Sequence, residues 1–139
     1  MDLGHWNSLI EDFNPGEWFG FVYRITNNTT NMSYIGRKQF FSYTRKKIKG
    51  RKNRKRIVRE SDWREYTGSC DQLNEDIESL GIENFTFTIL RLCKTKGDLG
   101  YHETWYQMNE NVLHSTFPDG SRKYYNNNIM SRWFAKGAN

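Results

Sequence analysis

Trp18-Phe19-Gly20-Phe21-Val22-Tyr23-Arg24-Ile25-Thr26, then the polar run Asn27 to Asn31, then Ser33-Tyr34-Ile35-Gly36-Arg37-Lys38, is the stretch that decides the fold. The first segment is rich in aromatic and β-branched residues and reads as a strand. The polar run is turn material, and the second segment reads as a strand returning beside the first, so the pair is expected to form a hairpin. Facing strands lie about 4.8 Å apart, which allows Tyr23 and Tyr34 to approach each other on one rigid sheet. Period-two alternation places Lys38 on the face of Tyr34 and sends Arg37 to the other.

Downstream of the hairpin the chain carries ten bases and no acid between Arg45 and Arg59: Arg45, Lys46, Lys47, Lys49, Arg51, Lys52, Arg54, Lys55, Arg56 and Arg59. The whole chain has 21 bases and 16 acids, so outside this tract the molecule is mildly acidic. A tract of this density attracts a polyanion, because each neutralised phosphate releases condensed counterions. It is expected to be a loop or helix inserted at residues 45–60. A solvated loop and a membrane-surface tract are the competing readings.

Further along, Ser69 with Gln72 fits a capping box, Leu73, Ile77 and Leu80 line one helical face, and Gly81 ends the helix. Phe85 to Cys93 (FTFTILRLC) reads as a third strand. A second helix is expected from about Lys96 to Leu113, capped by Thr95 with Asp98. Its apolar stripe is Tyr101, Trp105, Met108 and Val112, while Glu103 shares a different face with Leu99 and Tyr106. Residues 1–17 read as an N-terminal extension, with Trp6, Leu9, Ile10 and Phe13 at helical spacing before Asn14-Pro15-Gly16. Residues 18–139 read as a single domain whose aromatic tail, Tyr124 to Phe134, packs back onto it.

These elements give an α+β domain with a three-stranded, mainly antiparallel sheet flanked by helices. With 139 residues the chain buries a core without disulfides. Cys70 and Cys93 are most simply reduced thiols of a cytoplasmic protein. No run of about 18 apolar residues exists, which argues against a membrane span. His5, His102 and His114 have no metal-ligand spacing with the cysteines, and no glycine loop of the phosphate-cradling kind is present.

The hairpin resembles the opening of the GIY-YIG nuclease family. Phe21-Val22-Tyr23 stands where the first triplet is commonly relaxed, and Tyr34-Ile35-Gly36 matches the second in full. Further likenesses follow in order. Tyr66-Thr67-Gly68-Ser69 through Gly81-Ile82-Glu83-Asn84-Phe85 resembles the family's middle helix and third strand, Glu103 falls where the family has its metal-binding glutamate, and Tyr125-Asn126 resembles its closing Tyr-Asn pair. With the basic insertion after the hairpin, the chain is most similar to phage-encoded Seg-type members.

The resemblance implies a Mg²⁺- or Mn²⁺-dependent endonuclease acting on DNA, with a double-stranded substrate expected. Glu103 would hold the metal, and Tyr23 and Tyr34 would position and activate water. Lys38 would lend electrostatic help and Asn126 would orient Glu103 or a water. Phenols titrate near 10, so a base role requires neighbouring cations to lower them. The family's phosphate-clamping arginine corresponds by spacing to Arg45, or to Arg56 if the insertion precedes the helix. The remaining tract bases would follow the DNA backbone. With no room for a recognition domain, sequence specificity is expected to be slight unless the tract, the first 17 residues or a partner supplies it. An inactive nucleic-acid-binding protein and an RNase are the alternatives.

Overall fold

The computed structural model describes residues 1–10, 12–50, 52–53 and 55–137. Its elements run β1 (Trp6–Ser8), β2 (Gly20–Asn27), β3 (Ser33–Gln39), β4 (Phe41–Lys46), β5 (Lys55–Glu60), α1 (Asp71–Leu80), β6 (Phe85–Cys93), α2 (Lys96–Asn109), β7 (Asn128–Ile129) and β8 (Trp133–Phe134). The main sheet has the order β1-β6-β2-β3. The expected hairpin is β2–β3, antiparallel, with Tyr23 opposite Gly36. Strand β6 lies antiparallel on the other side of β2, and its register shifts between Val22 and Tyr23. Such a bulge twists the strand locally and changes the aim of the side chains beside it.

The fold is therefore the expected α+β sheet with one strand added. Residues 6–8 were expected to be helical, but they pair parallel to β6, with Trp6 opposite Phe87. The helical spacing was coincidental: Leu9 is 79% exposed, whereas Trp6 is buried and packs on Phe21, Tyr23 and Phe87. Its indole Nε1–H donates to the Trp63 carbonyl.

Two apolar clusters lie on opposite faces of the sheet. On the α1 side are Phe21, Tyr23, Ile25, Phe40, Trp63, Leu73, Phe87 and Ile89; on the α2 side are Val22, Ile35, Leu99, Val112 and Ile129. Large aromatics fill much of the first cluster, which explains how a chain with 36% hydrophobic residues forms a closed interior. Helix α1 ends at Gly81 as expected, but its N-cap is Cys70, without a side-chain cap bond. Thr95 caps α2 as expected, accepting from the Asp98 amide.

Of the stripe expected to bury α2, only Val112, just past the helix end at Asn109, is buried; the three residues on the helix itself face outward. Tyr101, Trp105 and Met108 are exposed, and Leu99 and Gln107 are the helix's buried residues. The i, i+4, i+8 row Leu99-Glu103-Gln107 therefore points at the sheet. The basic tract also differs from the expected loop or helix. Strands β4 and β5 pair antiparallel from Phe41↔Glu60 to Lys46↔Lys55, forming a separate two-stranded ribbon. No helix among the described residues is long and apolar enough to cross a membrane.

Candidate active site

Strand β3 is the edge of the main sheet, and an edge strand presents unpaired backbone groups. The C-terminal segment covers part of that edge. Ser33 N–H donates to the Lys123 carbonyl, and the Ser33 carbonyl accepts from Tyr125 N–H. At Ile35 the cover is made by side chains. Asn126 Oδ1 accepts from Ile35 N–H at 3.1 Å, and its Nδ2 donates to the Ile35 carbonyl at 2.8 Å. Gln107 Nε2, from α2, donates to the same carbonyl at 3.0 Å. Asn126 thus spends both ends of its amide on β3 and serves to fix the strand.

A polar cleft opens at this edge, lined by Tyr34, Arg37, Ser69, Glu103, Gln107 and Asn126 among others, with a volume of about 280 Å³. It continues past Tyr34 to Ser69 and Asp71 at the start of α1. Because β3 is the edge, side chains from both faces of the sheet reach the cleft. Tyr34 comes from the α1 side, while Arg37 and Glu103 come from the α2 side. The Arg37 Nε lies 3.7 Å from Glu103 Oε1, with the arginine half exposed and the glutamate mostly covered. Burial raises the Glu103 carboxyl above its ordinary value, and the Arg37 guanidinium pulls the other way.

Tyr23 lies behind the cleft wall. Its ring centroid is 6.2 Å from that of Tyr34 and 6.1 Å from that of Tyr66, and the residue is buried. Gly36 makes this possible: a Cβ there would fall 2.5 Å from Tyr23 Oη and 2.8 Å from its Cζ. Gly68, at φ +85°, closes the other side, with its Cβ position 3.3 Å from the same Oη. A base role would have required lowered phenols, yet both are raised. Desolvation pushes Tyr23 well up, with Tyr34, Tyr66 and Glu103 adding to it. Desolvation also raises Tyr34, against a hydrogen bond from Ser69. Both are neutral phenols at neutral pH.

The other expected site residues lie elsewhere. Lys38 is on the face of Tyr34 but turns to Asp62, at 2.7 Å, and over the Tyr66 ring, at 4.0 Å. Arg45 and Arg56 face each other on the β4–β5 ribbon. Lys46, Lys55 and Arg59 are exposed on the same ribbon, and Lys47, Lys49 and Lys52 on its connecting segment. Arg51 and Arg54 lie outside the described residues. The cationic residue beside Glu103 is Arg37, which sequence reasoning passed over. Strand alternation sets it on the face opposite Tyr34, and only the edge position of β3 brings both into one cleft. Its place directly after Gly36 was the available signal.

The cleft's donors are a carboxylate, amide oxygens and hydroxyls, a hard-oxygen set suited to Mg²⁺ or Mn²⁺. A second group lies apart from it: one ligand atom each of Cys93, Asp98 and His102, all within 4.8 Å of one another. Sequence spacing had not suggested that cluster. Its thiol is pushed up to about 11, first by burial. His102 Nδ1 already lies 2.9 Å from both the Asp98 carbonyl and its carboxylate. Those softer, internally bonded groups suit a hard cation less well than the cleft does.

Residues 5–129 match the family model described as "Putative endonuclease segE, GIY-YIG domain". No curated protein and no solved structure matches the chain.

Proposed function

The chain belongs to the GIY-YIG endonuclease family, in its Seg-type branch, and on that premise we propose that it hydrolyses phosphodiester bonds of double-stranded DNA at the β3-edge cleft, using Mg²⁺ or Mn²⁺. The observation that carries the reading is the covered carboxylate of Glu103 beside Arg37 in a cleft that also contains Tyr34. Glu103 is the residue that would hold the cation, with the surrounding amide oxygens and waters completing the shell. The bound cation would polarise the phosphoryl oxygens.

The chain's own groups do the rest. Arg37, half exposed at the cleft mouth, clamps the scissile phosphate through its planar guanidinium. Tyr34, as a neutral phenol, orients the attacking water by hydrogen bonding. Tyr23 holds Tyr34 in place from behind and supplies a second hydroxyl to the network. Water attacks phosphorus, the 3′ oxygen leaves, and protons exchange with solvent through the open cleft. Lys38 acts through Asp62 and Tyr66, as support for the tyrosine cluster. Asn126 acts by fixing Ile35, hence the spacing between Tyr34 and Arg37. The body of the domain contributes little sequence specificity.

The test is supercoiled plasmid incubated with Mg²⁺, beside EDTA, Glu103→Gln and Arg37→Ala lanes. Nicked or linear product in the wild-type lane alone is expected. Intact but shifted plasmid in every lane would leave a binding protein, and cleavage confined to RNA of the same sequence would leave an RNase. Full cleavage by Arg37→Ala with none by Arg45→Ala would move the clamp to the ribbon.

A further inference from the structure

Almost every residue of the β4–β5 ribbon is exposed, on both faces, and its paired portion reaches the apolar clusters through Phe41 at the root and through Tyr43 by way of Phe19. Its two distal pairs, Arg45↔Arg56 and Lys46↔Lys55, set like charges directly opposite each other. Such pairs destabilise an isolated hairpin. Among the described residues, no acid forms an ion pair with Arg45, Lys46, Lys55, Arg56 or Arg59. A solvated surface hairpin gains nothing from this arrangement; a ribbon flanked by phosphates does.

The two faces differ in chemistry. Alternation puts Tyr43, Arg45, Arg56 and Val58 on one, and Thr44, Lys46, Lys55 and Ile57 on the other. The Arg56 guanidinium is held 4.8 Å from the Tyr43 ring centre. Tyr43 in turn stacks on Phe19, at 6.0 Å and 3°, and Phe19 packs with the α2-side cluster. The arginine face is thus turned toward the side of the sheet that carries Arg37 and Glu103. The root is fixed: Ser61 N–H donates to the Phe40 carbonyl, Ser61 Oγ donates to the Gln39 carbonyl, and Phe40 packs on Trp63.

Building on the DNA-endonuclease reading, we propose that this ribbon enters the major groove of the duplex beside the cut and reads base edges with Arg45 and Arg56. A two-stranded ribbon fits the major groove, about 12 Å wide, whereas the minor groove, about 6 Å wide, is too narrow for it. Six residues per strand give a length of about 20 Å, enough to follow the groove floor. Arginine's fork matches the paired acceptors of guanine, and the lysines opposite, with Arg59, meet the phosphate walls. Because Arg45 lies eleven residues along from Tyr34, a reach of at most about 36 Å, the reading position falls to one side of the cut, within roughly eleven base pairs.

The experiment has two readouts, one independent of cleavage. Without divalent ions, wild-type protein bound to duplex DNA is challenged with methyl green, a major-groove ligand, or netropsin, a minor-groove ligand. Displacement by methyl green is expected, and displacement by netropsin alone would overturn the proposal. In Mg²⁺, a randomised duplex pool is cut and the ends are sequenced for wild type and Arg45→Ala/Arg56→Ala. Wild type is expected to show a guanine preference of roughly fivefold or more, offset to one side of the cut. The double variant, whose exposed substitutions leave the melting transition in place, is expected to bind more weakly and to lose that preference. Uniform weakening with an unchanged pattern would mean phosphate contact only and would overturn it. Absence of cutting by any protein would count against the nuclease reading, leaving the groove competition to decide the ribbon.

Discussion

Replacing Gly36 with alanine tests the link between the tyrosine cluster and the strand edge. The new methyl would sit 2.5 Å from Tyr23 Oη, 2.8 Å from Tyr23 Cζ and 2.9 Å from Tyr34 Cε2. All three are shorter than packed atoms tolerate, and none is the loose end of a flexible chain. Tyr23 is clamped by Trp6, Phe21 and Tyr66, so its ring cannot yield without moving the core. Overpacking of this kind costs about 1–3 kcal/mol. For a domain of this size that corresponds to a fall in melting temperature of roughly 3–15 °C. Gly36 φ is not positive, so the loss is steric rather than conformational. Adding Tyr23→Phe removes the nearest contact but leaves those at 2.8 and 2.9 Å, so part of the stability, and little activity, should return. Thermal melts by circular dichroism, paired with plasmid cleavage, read both. A Gly36→Ala protein with wild-type melting and activity would refute the placement of Tyr23 across Gly36.

Two other substitutions separate stability from chemistry. Glu103→Gln should abolish cleavage while raising the melting temperature of the metal-free protein at neutral pH. The folded carboxyl is raised above its unfolded value, so ionisation costs stability as pH climbs beyond the ordinary glutamate range. Glutamine escapes that cost; melts from pH 4 to 8 should show the variant's advantage growing with pH, and a destabilised variant at pH 7 would contradict the burial argument. Asn126→Ala orphans the buried Ile35 N–H, at a cost of about 1–3 kcal/mol. Hydrogen exchange at Ile35 should quicken by at least fivefold, and an unchanged rate would deny Asn126 its role in fixing β3.

The hairpin was legible because its signals are local: β-formers on both sides of a polar turn, with both tyrosines inside them. Glu103 was locatable only through the ordered family likeness, since its own helix misled. Tyr101, Trp105 and Met108 make the more obvious apolar stripe, yet Leu99 and Gln107 are what the sheet buries. Gln107 is polar, and its burial is explained by a β3 carbonyl that only tertiary structure brings near. Arg37 escaped because alternation assigns faces and says nothing about which strand is an edge. The ribbon escaped because charge hides its pattern: its β-formers, Phe41, Tyr43 and Thr44 on one strand and Ile57 and Val58 on the other, are separated by the run of bases. Trp6 escaped because three residues are too few for periodicity to distinguish a strand from a helix.

Mn²⁺ titrated into ¹⁵N-labelled protein, with paramagnetic broadening of backbone amides read residue by residue, locates the cation directly. Broadening centred on Glu103, Gln107, Arg37 and Ser69, and lost in Glu103→Gln, is the expected result. Broadening centred on Cys93, Asp98 and His102, or a pattern that Glu103→Gln leaves intact, would contradict a cation-dependent active site at the β3 edge.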